Sequence, residues 1–319
     1  MKRIGVLTSG GDAPGMNAAV RSAVRIALAR NLEVMGIYRG YIGLIEDDVK
    51  PLNHRSVSNI INRGGTVLKT SRSKEFMTKE GQQRAVETIK RNKIDGLVII
   101  GGDGSYHGAQ ILSKDWNIPC IGVPGTIDND LNGTDYTIGS DTALNTALEA
   151  IDKIRDTSTS LERIFVVEVM GRQSGYIALN VALAGGAEQV VIPERRFEIQ
   201  QMCQEITEGY IRGKASWIVI VAEGVIKGHE MAQKITENTD LETRIVVLGH
   251  IQRGGCPTAR DRVLATRLGA AAVDLLIKGE SAKAVGIIGD DIKAVTFQEA
   301  ITKKQLKTEQ ICGLIRVLT

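Results

Sequence analysis

Short apolar, β-branched runs alternate along the chain with stretches in which apolar residues recur every three or four positions. That alternation predicts βαβ units and an α/β fold built on mainly parallel sheets flanked by helices. Strands are predicted near Arg3 to Leu7, Glu33 to Tyr38, Leu97 to Ile100, Cys120 to Val123, Ile164 to Val169, Val190 to Ile192, Trp217 to Ala222 and Arg244 to Leu248. Between them the pattern is helical. In Ser140 to Arg155 the apolar positions Leu144, Leu148 and Ile151 form one stripe, with Ser140 or Asp141 placed to cap the first turn. That helix is expected to bridge two lobes. No fixed-period repeat, low-complexity tract or linker rich in Pro, Gly or Ser interrupts the pattern.

Composition narrows the class. A chain of 319 residues is long enough for two lobes with their own cores. A net charge of +3 from 40 basic and 37 acidic residues excludes a disordered acidic chain and gives no strong pull on nucleic acid. The longest apolar run, Trp217 to Ala222, is far too short to span a bilayer, and no charged-then-apolar leader opens the sequence, so a cytoplasmic protein with no membrane partner is expected. Cys120, Cys203, Cys256 and Cys312 lie far apart, which reads as reduced, mostly buried thiols.

Glycine departs from the average, with 35 residues in the chain and clusters of them after apolar runs, where bare backbone can approach a ligand. Four strands end in such loops: Thr8 to Asn17, Gly101 to Ser105, Pro124 to Asp130 and Gly249 to Thr258. Ligands of open α/β sheets sit beyond the carboxyl ends of the strands, so one shared crevice is expected. GGDGS, followed by a helix from about Ser105, offers backbone N–H groups and a helix N-terminus as a phosphate cradle. It matches neither the phosphate loop of nucleoside triphosphatases nor a dinucleotide fingerprint with its ribose-binding acid, which weakens a dehydrogenase reading. Asp103 beside the cradle would be repulsive without a divalent cation and is assigned to Mg²⁺. Asp128 and Asp130 are two apart and point the same way on an extended segment. They suit a proton acceptor and an orienting acid for phosphoryl transfer, against the plainer reading of an Asx turn. Arg72, Arg163, Arg172, Arg244 and Arg253 stand at strand ends or in loops, where guanidinium groups grip phosphate, although each alone reads more readily as a solvated surface charge. Arg21 and Arg25, one helical turn apart, suggest a second anion site.

In order and spacing, TSGGDAPGMNAA, GGDGS, PGTIDND, AIDKIRDT, EVMGR, VAEG and LGHIQRGG together resemble the bacterial ATP-dependent 6-phosphofructokinases over the whole chain. The resemblance implies two similar-sized lobes with the active site in the cleft between them, 1–139 plus about 252–305 binding ATP and 140–251 plus about 306–319 binding sugar phosphate. It implies transfer of the γ-phosphoryl of MgATP to the 1-hydroxyl of fructose 6-phosphate. By motif, Gly11, Arg72, Ser73, Gly102, Asp103, Gly104 and Ser105 resemble the ATP site, with Asp103 the Mg²⁺ ligand. Asp128 resembles the base, and Arg72, Thr126, Asp130 and Arg172 its surroundings at the transferring phosphoryl. Ile127, Met170, Gly171, Glu223, His250, Ile251 and Gln252 resemble sugar contacts, joined at the 6-phosphate by Arg253 and, from a neighbouring subunit of a homotetramer, by Arg163 and Arg244. Arg21, Arg25, Arg155, Gly186, Glu188, Arg212 and Lys214 resemble an effector site for ADP or phosphoenolpyruvate.

The pyrophosphate-using branch of this family carries an Asp after GGD and a Lys in place of the glycine of PGTIDND. Gly104 and Gly125 stand there instead, which implies room for adenosine and the α-phosphate and hence ATP as donor. A diacylglycerol- or NAD-kinase-like enzyme shares GGDG but does not account for PGTIDND with LGHIQRGG. A catalytically inactive nucleotide-binding regulator would be expected to lose Asp128 or Asp103, and both are kept.

Overall fold

The computed structural model describes residues 1–214, 216–306 and 308–318. Its elements run β1 (Arg3–Ser9), α1 (Met16–Ala29), β2 (Glu33–Ile37), α2 (Tyr41–Ile45), β3 (Val49–Leu52), α3 (Lys79–Arg91), β4 (Gly96–Gly101), α4 (Asp103–Asp115), β5 (Cys120–Pro124) and α5 (Ser140–Leu161). Then follow β6 (Ile164–Val169), α6 (Tyr176–Ala184), β7 (Gln189–Val191), α7 (Ile199–Ile211), β8 (Trp217–Ala222), α8 (Gly228–Thr239), β9 (Thr243–Val247), α9 (Ala259–Ile277), β10 (Lys283–Ile288), β11 (Asp291–Thr296), α10 (Phe297–Ala300) and α11 (Thr308–Leu318). Two compact units divide this chain, with crossings after Thr142, Gln252 and Lys304.

The first unit carries a seven-stranded sheet in the order β11-β10-β5-β4-β1-β2-β3. Its five inner strands are parallel, and β3 and β11 pair antiparallel at the edges. Both faces are covered: every residue of β4 and of β5 is buried, which is why these strands read as unbroken apolar runs. Strand order reverses between β1 and β4, so the glycine loops after those two strands flank the switch point where such sheets bind ligands. On one face α1 packs along α9, and Gly269 lets the helices close, since a Cβ there would stand 2.7 Å from the Ala19 carbonyl oxygen. The second unit holds a wholly parallel sheet in the order β7-β8-β6-β9 over its own core of Ile164, Val166, Val219, Val221, Met231 and Ile235.

Several expectations change. Strands β3, β10 and β11 were not anticipated. The GGDGS helix starts at Asp103 rather than Ser105. Strand β9 begins one residue before the expected Arg244, which is its second residue. The loop after β9 belongs to a different sheet from the other three, so the four loops do not rise from one sheet. Helix α5 runs on to Leu161, and its buried stripe is Ala143, Ala147, Ile151 and Ile154, with Leu144 and Leu148 only half-buried. Its first turn is capped from a distance: the Asp261 carboxylate accepts from the amides of Gly139 and Thr142 and from the Thr142 hydroxyl at 2.9, 2.8 and 2.6 Å. Ser140 instead donates its hydroxyl to Thr137 O, and Asp141 accepts from the Thr258 hydroxyl.

Candidate active site

Within the first unit, β1, β4 and β5 place three loops side by side. At the end of β4, Ser105 and Tyr106 both donate their amides to Gly102 O, closing the first turn of α4 and leaving the N–H groups of Asp103 and Gly104 at its positive end. A Cβ on Gly104 would meet nothing within 4 Å. The bare main chain therefore faces open space. The Ser105 hydroxyl does not serve as a free ligand: it donates to Ser9 O at 3.0 Å, tying the GGDGS loop to the end of β1.

The acid loop is joined to this cradle. Gly125 donates its amide to Gly101 O at 3.0 Å, and a Cβ on Gly102 would touch Thr126 Cβ at 3.3 Å. Thr126 Oγ1 accepts from the Asp128 amide at 3.2 Å, and the Thr137 hydroxyl donates to Thr126 O at 2.6 Å. Asp128 is 2% exposed and Thr126 6%; Ile127 is fully buried, so its backbone rather than its side chain is what this loop can offer a ligand. Asn129 takes a left-handed turn, φ 46°, between the two aspartates. Gly125 does not leave room in the way Gly104 does. A Cβ there would press on Ile100 Cγ2 and Met16 Cε at 3.0 Å, so this glycine serves packing.

The loop after β1 lies against Arg253, whose guanidinium donates to Asp12 O at 2.9 Å. A Cβ on Gly11 would stand 2.6 Å from Arg253 Nη1, which ties Gly11 to that arginine. Arg72 is exposed and Ser73 half-buried, on a segment held to the same loop by Thr70, whose hydroxyl donates to Gly10 O. Asp103 is half-exposed, with His107 one turn on at 3.4 Å. Among the described residues no three His, Cys, Asp or Glu side chains gather as a metal cage. A single carboxylate next to a phosphate cradle suits Mg²⁺, which is commonly held by one or two carboxylates together with substrate phosphates.

In the second unit the loops after β6, β8 and β9 are knitted together. Met170 donates its amide to Gln252 Oε1 at 2.9 Å, and Arg172 donates its amide to Glu223 Oε1 at 3.4 Å. Gly224 is needed, because a Cβ there would sit 1.7 Å from Arg172 O. Gly171 and Arg172 both have positive φ. His250 and Ile251 are exposed, while Gln252 is fully buried. Arg163 and Arg244 share one partner: Glu242 accepts from Arg163 Nε at 2.8 Å and pairs with Arg244.

The residues carried to an effector site divide between the units. Arg21 and Arg25 lie on α1 in the first. In the second, Arg155 donates to Gly185 O and Gly186 O, and Glu188 accepts from Lys214 at 3.1 Å and from the Ile218 amide at 2.7 Å. Arg212 pairs with Glu208 at 3.0 Å.

Tyr41, Lys304 and Asp261, not anticipated from the sequence, hold these loops and α5 through long-range hydrogen bonds. The Tyr41 hydroxyl donates to Ser105 O at 2.6 Å and its ring stacks on Phe76 at 4.2 Å, bracing the start of α4 from below. Burial pushes the Tyr41 phenol well above its ordinary range, so it stays protonated and a donor. Of the thiols, Cys120, Cys203 and Cys312 are buried and Cys256 is exposed; burial pushes Cys120 up to about 12. No helix among the described residues is long and apolar enough to cross a membrane.

A family model described as phosphofructokinase matches residues 3–276. An ATP-dependent 6-phosphofructokinase of Bacillus velezensis is 59% identical over 90% of each chain. One from Bacillus pumilus is 54% identical, and one from Halothermothrix orenii 51%, over the full length of both chains. The structure of phosphofructokinase from Saccharomyces cerevisiae superposes with a TM-score of 0.87 at 34% identity over 100% of this chain, which spans 47% of the yeast chain. A pyrophosphate-dependent phosphofructokinase from Nitrosospira multiformis has a TM-score of 0.85 at 22% identity, a likeness of fold. With its cradle of bare main chain bonded to an acid loop, and with these relatives along its whole length, the chain belongs to the phosphofructokinase family.

Proposed function

We propose that this chain is an ATP-dependent 6-phosphofructokinase whose proton acceptor is Asp128. The observation that carries the reading is the direct junction of cradle and acid loop, Gly125 N–H to Gly101 O with Thr126 packed on Gly102. A triphosphate tail on the amides of Asp103 and Gly104 would have its terminal phosphoryl next to the loop bearing Asp128. Asp128 takes the proton of the sugar's 1-hydroxyl as that oxygen bonds to the γ-phosphorus, and the β,γ-bridging oxygen departs with ADP. Such a transfer asks the protein for alignment and charge rather than covalent chemistry.

Asp103 would hold Mg²⁺, which supplies charge neutralisation on the phosphates. Gly11, Arg72, Ser73, Gly102, Asp103, Gly104 and Ser105 form the ATP side in this reading, Ser105 by position rather than by its hydroxyl. Arg72, Thr126, Asp130 and Arg172 attend the phosphoryl. Met170, Gly171, Glu223, His250, Ile251, Gln252 and Arg253 bind fructose 6-phosphate, with Ile127 contributing main chain. Arg163 and Arg244 reach the 6-phosphate of a neighbouring subunit in a homotetramer, exchanging Glu242 for the phosphate. The Arg21 and Arg25 pair with Arg155, Gly186, Glu188, Arg212 and Lys214 answers ADP or phosphoenolpyruvate. Arg25 Nε is buried with no hydrogen-bond partner among the described residues, which favours an anion there. A cytoplasmic enzyme is part of the same reading. The test is ADP release with fructose 6-phosphate and Mg²⁺, run in parallel with pyrophosphate in place of ATP. Turnover with ATP and little with pyrophosphate is expected, and turnover with pyrophosphate at a comparable rate would overturn the donor assignment.

A further inference from the structure

Opposite the acid loop runs a short strap, residues 300–304, that ends the first unit's share of the chain. Ala300 O accepts from the Asn132 amide at 2.9 Å, and the Thr302 hydroxyl accepts from Asn132 Nδ2 at 3.0 Å. The strap ends on Lys304, whose ammonium group has three N–H donors and three acceptors within reach: Asn129 Oδ1 at 3.1 Å, Thr134 O at 2.7 Å and Asp135 O at 3.0 Å. Asn129 is the residue between the two aspartates, held in the left-handed region. Its side-chain amide is gripped at both ends, because Asn129 Nδ2 donates to Asp135 O at 3.0 Å. The far side of the loop is fixed to β10, where Asp135 donates its amide to Ile287 O and accepts from the Gly289 amide, both at 2.7 Å.

We propose that Lys304 is a positioning residue for phosphoryl transfer: its charged ammonium clamps Asn129 and so sets the turn that aims Asp128 and Asp130. The proposal rests on the reading of this loop as the proton-accepting one. A neutral amine keeps two donors for three acceptors and loses its attraction to the loop, so the clamp loosens when the proton leaves. The charges acting on the ammonium are Asp135 and Asp130, which favour it, while burial opposes it and prevails, bringing Lys304 from its ordinary range down to about 8. The sign follows: the clamp is complete below that pH and weakens above it, within the range where a sugar kinase is assayed. Lysine is suited to the place, since a compact ammonium satisfies three acceptors converging on one point and a planar guanidinium does not.

The experiment measures steady-state ADP release by wild type, Lys304→Met and Lys304→Arg across pH 6.5 to 9.5, with Mg²⁺, ATP and fructose 6-phosphate each varied. Lys304→Met is expected to lower kcat by roughly 10- to 100-fold with KM for both substrates within about threefold, as slight misaiming of reacting groups does. Lys304→Arg, charged throughout, is expected to recover part of kcat and to lose the decline of kcat near pH 8 that wild type shows. Wild-type kcat in Lys304→Met would overturn the proposal. Should that variant not fold, the arginine variant decides: an alkaline decline at the same pH as wild type overturns it. Failure of the underlying reading shows elsewhere, as full turnover by Asp128→Asn with lysine 304 intact.

Discussion

Gly104→Asp separates donor choice from stability, because the position is open and the backbone imposes no penalty. A Cβ there meets no atom within 4 Å, and its φ lies outside the left-handed range that glycine favours. An aspartate in the first turn of α4 also interacts well with the helix's positive end, by about 0.3 to 1 kcal/mol. Folding is therefore expected to be unharmed. ATP binding is another matter, since the new carboxylate occupies the space over the two uncommitted amides. Two unit charges about 4 Å apart at an effective dielectric near 20 repel by about 4 kcal/mol, and partial neutralisation by Mg²⁺ brings this to about 2 to 4 kcal/mol. That corresponds to roughly 30- to 700-fold in affinity. The assay is KM for ATP and for fructose 6-phosphate by coupled ADP release, together with the thermal midpoint of both proteins. A large rise in KM for ATP with an unchanged midpoint is expected; wild-type KM for ATP would refute the placement of the triphosphate on this helix terminus.

Three further outcomes follow from particular contacts. Asp261→Asn keeps one acceptor oxygen and sets its NH₂ either against the Gly139 amide or against the Thr142 amide and hydroxyl, leaving a buried donor unpaired, at a cost of about 1 to 3 kcal/mol; urea denaturation should show a lowered midpoint, and an unchanged one would remove Asp261 as the cap of α5. Arg244→Ala should raise KM for fructose 6-phosphate while sparing KM for ATP, and equal losses on both would argue against a role at the 6-phosphate. Arg25→Ala should blunt the response of the rate to added ADP without lowering the basal rate, which a crippled basal rate would contradict.

The glycine and acid loops were legible because their chemistry is local: GGDGS and PGTIDND are short strings that follow wholly buried strands. What escaped was held from a distance. The cap of α5 comes from a residue 119 positions beyond Thr142, and the clamp on Asn129 from one 175 positions away, so no local spacing announces either. Tyr41 sits in a five-residue helix and acts through Ser105, 64 residues on. Strand β3 carries Pro51 at a sheet edge, where a missing N–H is tolerated and the apolar pattern thins. Strands β10 and β11 did carry a signal, two runs parted by Gly289 and Asp290 with Gly289 at φ 61°, a short hairpin turn obscured by the exposed face of β11. In α5 the sequence stripe favoured the large Leu144 and Leu148, whereas close packing buried the small Ala143 and Ala147. The room expected at both glycines exists at Gly104 alone, because the direction of a side chain at Gly125 depends on Ile100 and Met16.

The claim on which the rest depends is that Asp128 receives the proton of the sugar's 1-hydroxyl. Single-turnover phosphoryl transfer by Asp128→Asn, with both substrates at saturation and their dissociation constants measured separately, tests it most directly. Near-native binding of ATP and fructose 6-phosphate is expected, with the chemical step slowed by roughly 10² to 10⁴. Transfer at the wild-type rate would contradict it.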